Sequence, residues 1–224
     1  TPLRVYSKSG KLIAEFGEKK RTPVAIKDVP APLINAFLAA EDARFFTHAG
    51  VDIKSLSRAF GELATSGAIH SGGSTITMQL AKNYFLSSER TFMRKGKEVL
   101  LALKLERELS KQEILELYLN KIYLGNRAYG IVAAAYVYYG KPLQDLSIAE
   151  CAMLAGLPKA PSANNPINNP VRARERRNWI LGRMLELQMI SQESYDEAIK
   201  TSAETRAHNV EAEVNASYVA EMAR

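Results

Sequence analysis

Cysteine and long hydrophobic runs are scarce in this sequence of 224 residues. The single cysteine, Cys151, lies among apolar residues and indicates a core position, which excludes a disulfide framework and a cysteine-based zinc site. The longest apolar run, Ile131–Tyr139, is far shorter than the roughly 20 residues that a membrane-spanning helix needs. The chain begins at Thr1 rather than at a methionine, so we expect that a targeting or anchoring segment is missing from it.

The remaining composition is that of an ordinary globular protein. Hydrophobic residues make up 46% of the sequence and charged residues 24%, which is enough to build one main domain with a sizeable core. The formal net charge of +6 fits a polyanionic partner such as nucleic acid, anionic lipid headgroups or a phosphorylated substrate. The charge alone does not distinguish among these partners.

The hydrophobic pattern predicts a mainly α fold with a short N-terminal β-hairpin. Residues 3 to 16 predict the hairpin, with its turn at Ser9-Gly10, and helical spacing begins at Leu33. A second helix is expected from about Asp52, and a long one from about Phe92 to Leu109. The apolar stripe expected on the long helix consists of Met93, Leu100, Leu101 and Leu105.

Helix caps and breakers divide the rest of the chain. Two capping boxes predict helix starts, and they pair Ser110 with Glu113 and Ser147 with Glu150. The breaker-rich stretch from Pro158 to Pro170 predicts a loop, and a basic helix should follow it. We therefore expect a hairpin and connecting segment at 1–29, the main domain at 30–200 and a linker at 201–224.

The first candidate for chemistry is Glu41. It lies four residues after Phe37, three after Leu38 and four before Phe45, which places it on the apolar face of its own helix. Burial raises the pKa of a carboxyl group and makes glutamate a useful base near neutral pH. The alternative is a partly exposed residue that pairs with Arg44.

Residues 72–83 form a second candidate. Glycines lead into a helix whose first turn carries Ser74 and Thr75, an arrangement that suits a phosphate at the helix N-terminus. Lys82 and Arg90 would add full charges. The alternative is an ordinary flexible turn with an N-cap.

The third candidate is the basic stretch 94–98, in which Glu98 stands among Arg94, Lys95 and Lys97. It is either a salt-bridged surface helix or an anion site with an embedded carboxylate. The arginines between Arg172 and Arg183 predict a solvated helix face.

A dedicated metal site is not evident in the sequence. His48 is expected to bond the turn before Gly50, because no second cluster of metal-binding residues accompanies it. Phosphate substrates nevertheless often bring Mg²⁺ or Mn²⁺.

In this order, residues 41–52, 72–83 and 94–98 resemble the signature motifs of the family 51 glycosyltransferases, the peptidoglycan glycosyltransferases of bacterial cell-wall synthesis. The similarity continues well beyond them, through residues 110–120, 123–125 and 155–161. In all it covers roughly residues 24 to 200. Met78 and Gly73 depart from common family residues, at positions to which no catalytic role is assigned.

The resemblance implies a lysozyme-like helical fold with a head lobe and a smaller, membrane-facing jaw lobe. It implies polymerisation of lipid II, in which a lipid-linked glycan chain is attacked at C1 by the 4-hydroxyl of lipid II with inversion. The catalytic residues implied are Glu41, as the base, and Glu98. The substrate-binding residues implied are Asp42, Ser74, Thr75, Gln79, Lys82, Asn83, Arg90, Arg94 and Lys97.

The same resemblance implies partners and a location. A class A penicillin-binding protein would continue into a C-terminal transpeptidase domain, and its catalytic domain would work on the periplasmic face of the inner membrane. The segments 53–69 and 136–139 are candidates for membrane contact.

Two other functions remain open at this stage. A lysozyme-like hydrolase or lytic transglycosylase also uses a glutamate against sugars, and a degenerate domain could bind lipid II without catalysis. The basic stretch 90–97 favours the synthase, because a pyrophosphate leaves as an anion. Nucleic-acid binding is disfavoured, because the basic residues are not interleaved with aromatic ones.

Overall fold

The structure is a computed structural model that describes residues 3–6, 12–16, 23–57, 73–85, 92–203 and 205–208. The described chain is mainly helical, which confirms the predicted fold class. Its helices are α1 (Ala31–Glu41), α2 (Ile76–Phe85), α3 (Phe92–Glu108), α4 (Lys111–Lys121), α5 (Ile131–Tyr139), α6 (Ile148–Ala155), α7 (Pro170–Glu186) and α8 (Gln192–Lys200). A helical turn also forms at residues 53–57.

The N-terminal hairpin forms as predicted. Strand β1 (Leu3–Tyr6) pairs antiparallel with β2 (Leu12–Phe16) in a register that places Leu3 opposite Phe16. The predicted turn at Ser9-Gly10 lies outside the described residues, as do most of the second helix and residues 86–91. The division into head and jaw lobes therefore stays a prediction.

Both predicted capping boxes begin helices. The side chain of Ser110 accepts a hydrogen bond from the Glu113 amide at the start of α4, and Ser147 does the same for Glu150 at the start of α6. In each pair the glutamate side chain accepts the N-cap amide in return. These local bonds satisfy amides that a helix leaves unpaired at its first turn.

The core surrounds α6, against which α1 and α7 pack. Phe37 from α1, Tyr118 from α4 and Tyr138 from α5 are fully buried there. Cys151 is buried as predicted, and burial raises the pKa of its thiol to about 12. The thiol is therefore protonated at neutral pH and is a packing group rather than a nucleophile.

The predicted apolar stripe on α3 is wrong at two positions. Met93 is 74% exposed and Leu100 is 68% exposed, whereas Glu98 and Ala102 on another face of the helix are buried. Hydropathy selects the wrong face, because the buried face of this helix carries charged and small side chains.

The prediction of a solvated arginine face is also wrong in part. Arg177 is 1% exposed, and its guanidinium donates hydrogen bonds to the carbonyl oxygens of Thr201 at 2.7 Å, Ser202 at 3.3 Å and Ile199 at 3.3 Å. It thereby stabilises the end of α8 and the chain that follows. By contrast, Arg172 and Arg174 are exposed, as predicted.

The described part of segment 201–208 lies against the C-terminal end of α5. The amide of His208 donates to the carbonyl oxygen of Val137 at 2.8 Å, and the Thr205 hydroxyl donates to that of Tyr138. Gly140 ends α5 in the left-handed conformation, and a side chain there would collide with the His208 ring. These contacts fix the path of the chain beyond α8.

Candidate active site

A cleft of about 770 Å³ lies between the C-terminal end of α1, the start of α2 and one side of α7. Within the described part of the chain, three carboxylates face it, from Glu41, Asp42 and Asp52. Four basic side chains line it as well, from Arg44, Lys159, Arg176 and Arg183. Such a mixture of charges in a concave site is typical of an active site.

Glu41 places a nearly buried carboxylate in this cleft. It is the last residue of α1, and its side chain is 11% exposed. Its Oε2 accepts a hydrogen bond from Gln79 Nε2 at 2.8 Å, and its Oε1 lies 3.9 Å from Arg176 Nη2. The alternative pairing with Arg44 does not occur, because Arg44 bonds Asp52.

The pKa of Glu41 lies above its ordinary value. Burial is the main cause, while the hydrogen bond from Gln79 and the charges of Arg176 and Lys159 act in the opposite direction. A carboxyl group whose pKa is raised in this way binds a proton more readily than one in water. The burial and the raised pKa agree with what the spacing around Glu41 predicts, and its role as a general base stays a prediction.

Asp42 holds the start of α2 in place. Its Oδ2 accepts the amide of Ile76 at 3.1 Å, and both of its oxygens lie 2.9 Å from His48 Nε2. His48 Nδ1 accepts the Gly50 amide at 3.2 Å, which is the turn contact predicted for this histidine. The carboxylate of Asp42 lines the cleft, but both of its oxygens are hydrogen-bonded within the protein.

The start of α2 uses its first amides internally. Thr75 Oγ1 accepts the Met78 amide at 3.1 Å and donates to the Gly50 carbonyl at 2.5 Å, so that Thr75 is the N-cap. The amide of Ile76 is taken by Asp42. A carboxylate therefore occupies the position at which the sequence suggested a phosphate, and of the two alternatives the geometry favours the N-cap.

The basic stretch on α3 pairs one buried carboxylate with two partly exposed cations beside the cleft. Glu98 is 3% exposed, with its Oε1 3.0 Å from Arg94 Nη1 and its Oε2 2.8 Å from Lys95 Nζ. Lys95 Nζ also donates to Ser74 Oγ at 2.8 Å, and Ser74 lines the cleft. The cluster therefore differs from a solvated surface network in that its carboxylate is buried.

Only some of the other predicted site residues line the cleft. Ser74, Thr75 and Gln79 line the cleft, whereas Lys82 and Asn83 are exposed on α2 and do not line it. Lys97 is exposed on α3. Arg90 lies outside the described residues.

The cleft also contains residues to which the sequence reasoning assigned no role. Lys159 lies within residues 155–161, which resemble a family motif, and Arg176 and Arg183 lie on the basic helix α7. The guanidinium of Arg176 stacks on Trp179, 4.3 Å from the ring centre. Trp179, the single tryptophan of the sequence, could have indicated this side of the cleft, because tryptophan and arginine are enriched together at binding surfaces.

The described residues do not fit a divalent cation held by the protein. They contain no cluster of three or more histidine, cysteine, aspartate or glutamate side chains arranged for a metal. The nearest acidic groups are already engaged, Asp52 by Arg44 and Ser55, and Glu98 by Arg94 and Lys95. We therefore assign no ligand set for Mg²⁺ or Mn²⁺ to this chain.

Comparison with known proteins identifies the family to which this cleft belongs. Residues 9–185 match the family model described as Transglycosylase. The chain belongs to the transglycosylase family. It is therefore a transglycosylase domain, and the peptidoglycan glycosyltransferase family indicated by the motifs is confirmed.

Relatives of the transglycosylase domain are penicillin-binding proteins. The chain is 62% identical over 223 residues to penicillin-binding protein 1A of Pseudomonas aeruginosa, which covers 100% of this chain and 27% of that protein. It is 51% identical over 223 residues to that of Haemophilus influenzae, with 100% and 26% covered. A 2.6 Å crystal structure of the Haemophilus influenzae protein matches with a TM-score of 0.60 at 37% identity, covering 100% of this chain and 23% of that one. The chain thus spans about a quarter of the length of these relatives.

Proposed function

We propose that this transglycosylase domain polymerises lipid II into β-1,4 glycan strands and releases undecaprenyl pyrophosphate. The observation that carries the proposal is the position of Glu41, a buried carboxylate with a raised pKa in a cleft lined by basic side chains. A base that binds its proton readily, next to cations that can offset phosphate charge, suits transfer of a sugar from a pyrophosphate.

In the proposed reaction, Glu41 removes the proton from the 4-hydroxyl of the acceptor lipid II. The hydroxyl oxygen then forms a bond to C1 of the donor sugar, and the bond from C1 to the pyrophosphate oxygen breaks. The electron pair of that bond leaves with the pyrophosphate. Attack from the face opposite the leaving group inverts C1.

The basic side chains would offset the charge that develops on the leaving pyrophosphate. Lys95 lies on the α3 side of the cleft through its bond to Ser74, and Glu98 holds Lys95 and Arg94 in position. We propose this positioning role for Glu98, whose contacts within the described residues are both cationic. Lys159 and Arg176 supply charge from the other side, close to Glu41.

The cleft is less suited to a hydrolase. A glycoside hydrolase uses a second carboxyl group, either to activate water or to form a covalent intermediate. Among the residues that the structure describes, the other carboxylates in the cleft are Asp42, which bonds Ile76 and His48, and Asp52, which bonds Arg44. Both groups stabilise the protein's own structure.

Incubation with labelled lipid II and, separately, with isolated cell-wall sacculi tests the proposed reaction. We expect glycan polymer from lipid II, and no polymer from Glu41→Gln. The control is Glu108→Gln, at an exposed position on α3, which should polymerise as well as wild type. Soluble fragments from sacculi without polymer from lipid II would support the hydrolase, and binding of lipid II without either product would support a non-catalytic domain.

We further propose that the domain works at the outer face of the bacterial inner membrane. Ile53, Met93 and Leu100 are exposed apolar side chains that could enter a lipid surface. In the second candidate segment Tyr138 is buried, which leaves Tyr136 as the more exposed side chain. None of the helices in the described part of the chain has the combination of length and hydropathy that crossing a bilayer requires.

We propose that a transpeptidase domain belongs to the full-length protein. The relatives are penicillin-binding proteins of which this chain covers 26% or 27%. Labelling of the full-length protein with a fluorescent penicillin would test this part of the proposal.

A further inference from the structure

Two fully buried tyrosines differ in what they bond. Tyr118 on α4 donates its hydroxyl to Gln79 Oε1 at 3.2 Å, and Gln79 Nε2 donates to Glu41 Oε2 at 2.8 Å. Tyr138 on α5 donates to the Leu124 carbonyl at 2.8 Å, outside this network. Only the first tyrosine is therefore connected to Glu41 through a chain of hydrogen bonds.

The direction of this hydrogen-bond chain follows from the chemistry of its members. An ionised carboxylate only accepts hydrogen bonds, so Gln79 has to present its NH₂ group to Glu41. Its carbonyl oxygen then points to Tyr118 and requires a donor there. Burial, followed by the charges of Glu41 and Asp42, raises the pKa of Tyr118 well above its ordinary value, so the hydroxyl stays protonated and remains a donor.

The two oxygens of Glu41 consequently differ. Oε2 is occupied by Gln79. Oε1 is buried and accepts no hydrogen bond from any residue that the structure describes, although it lies 3.9 Å from Arg176 Nη2. A buried acceptor without a hydrogen-bond donor is a strong candidate for bonding a substrate hydroxyl.

We infer that Glu41 receives the acceptor's proton on Oε1, and that Tyr118 is a positioning residue that orients Gln79 so that Oε2 is tied and Oε1 faces the substrate. This inference rests on the proposed function, because it assigns the atom that acts as the base in that reaction. Gln79 transmits the effect of Tyr118, which itself lies outside the lining of the cleft.

Substitution of each buried tyrosine by phenylalanine tests the inference. Tyr118→Phe keeps the ring that packs edge-on against Phe37 but removes the donor to Gln79. We expect kcat for lipid II polymerisation to fall about tenfold, with little change in KM. Tyr138→Phe removes one buried hydroxyl in the same way and should leave the kinetics unchanged.

The pH dependence separates positioning from a loss of stability. The hydrogen bond from Gln79 lowers the pKa of Glu41, so loosening it should move the acidic limb of the pH–rate profile to higher pH. In a Gln79→Met background, Tyr118→Phe should cause no further shift, because the connection is already broken. Unchanged kinetics and pH profile in Tyr118→Phe, or the same changes in Tyr138→Phe, would overturn the inference.

A ¹³C NMR titration of the Glu41 carboxyl group tests the hydrogen-bond chain without relying on activity. The signal is identified by its loss in Glu41→Gln. We expect its midpoint to rise in Tyr118→Phe and to stay at the wild-type value in Tyr138→Phe. If wild type makes no polymer, the proposed function fails while this titration still decides whether Tyr118 acts on Glu41. An unchanged midpoint in Tyr118→Phe contradicts the inference even if wild type polymerises lipid II.

Discussion

Arg176 Nη2 lies 3.9 Å from Glu41 Oε1, so a cation from α7 faces the proposed base at the end of α1. The guanidinium is held from its other side by stacking on Trp179, at 4.3 Å from the ring centre. Its charge lowers the pKa of Glu41 and so opposes the effect of burial. The pKa of Glu41 is therefore a balance. Burial raises it, and the hydrogen bond from Gln79 and the charges of Arg176 and Lys159 lower it.

Replacing Arg176 by methionine should lower activity by removing the cation from this balance. We expect kcat/KM to fall about tenfold, equivalent to ~1.4 kcal/mol of lost transition-state stabilisation. The acidic limb of the pH–rate profile should move to higher pH, because the pKa of Glu41 rises. Arg174→Met, on the exposed face of the same helix, is the matched control. Equal activities of the two variants would show that Arg176 does not act on Glu41.

The neighbouring arginine should behave in the opposite way. Arg177 is buried, and it bonds three carbonyl oxygens at the end of α8 and beyond. We expect Arg177→Met to lower the free energy of unfolding by ~2 kcal/mol, because charged hydrogen bonds are lost and carbonyl groups are left without a donor. Thermal unfolding should show a melting temperature lower by ~4–8 °C, with kcat close to wild type below the transition. A stable variant without activity would contradict this assignment.

This pair of arginines shows what the sequence could not predict. Spacing within one helix identified the start of α4 at Ser110 and the burial of Glu41, because both depend on residues a few positions apart. The roles of Arg176 and Arg177 depend on contacts with α1 and with the chain after α8. Hydropathy treats two adjacent arginines alike, whereas the fold directs one into the cleft and the other into the core.

Glu41 should reduce the stability of the protein at neutral pH. Its pKa is raised in the folded state, so the protonated carboxyl stabilises the folded chain relative to the ionised one. This contribution to the free energy of unfolding is lost as the pH rises through the folded-state pKa. Glu41→Gln mimics the protonated form. We expect it to melt ~2–4 °C above wild type at pH 7, the shift that ~1 kcal/mol makes in a chain of this size.

The stability difference between wild type and Glu41→Gln should shrink as the pH falls toward the ordinary glutamate range. In that range wild type is also protonated in both its folded and unfolded states. Melting curves from pH 4 to pH 8 would check the trend. A difference that grows on acidification would show that the pKa of Glu41 is lowered rather than raised.

Two lysines on α3 give a further contrast. Lys95 bonds Ser74 and Glu98, whereas Lys97 is exposed. We expect Lys95→Met to lower the rate of polymerisation about a hundredfold, because a preorganised charge is lost, and Lys97→Met to change it less than about twofold. Initial rates with labelled lipid II measure both. The reverse order would place the phosphate on the exposed face of α3.

The resemblance implies a substrate-binding role for Lys97, whereas we propose such a role for Lys95, which bonds Ser74 beside the cleft. A family motif fixes which residue types occur together, but the inward face of α3 depends on packing against α2. Hydropathy gave no help here, because the buried Glu98 is charged and the exposed Met93 is apolar.

The contact between Glu41 and Arg176 has a consequence for inhibitor design. Glu41 Oε1 and Arg176 Nε are both buried, and neither has a hydrogen-bond partner among the described residues. A small molecule that donates to the first and accepts from the second would satisfy both atoms at once, without displacing Gln79 from Oε2. Such a compound would gain affinity from the charges of Glu41 and Arg176. A resistant variant without Arg176 would also lose activity, as predicted above for Arg176→Met.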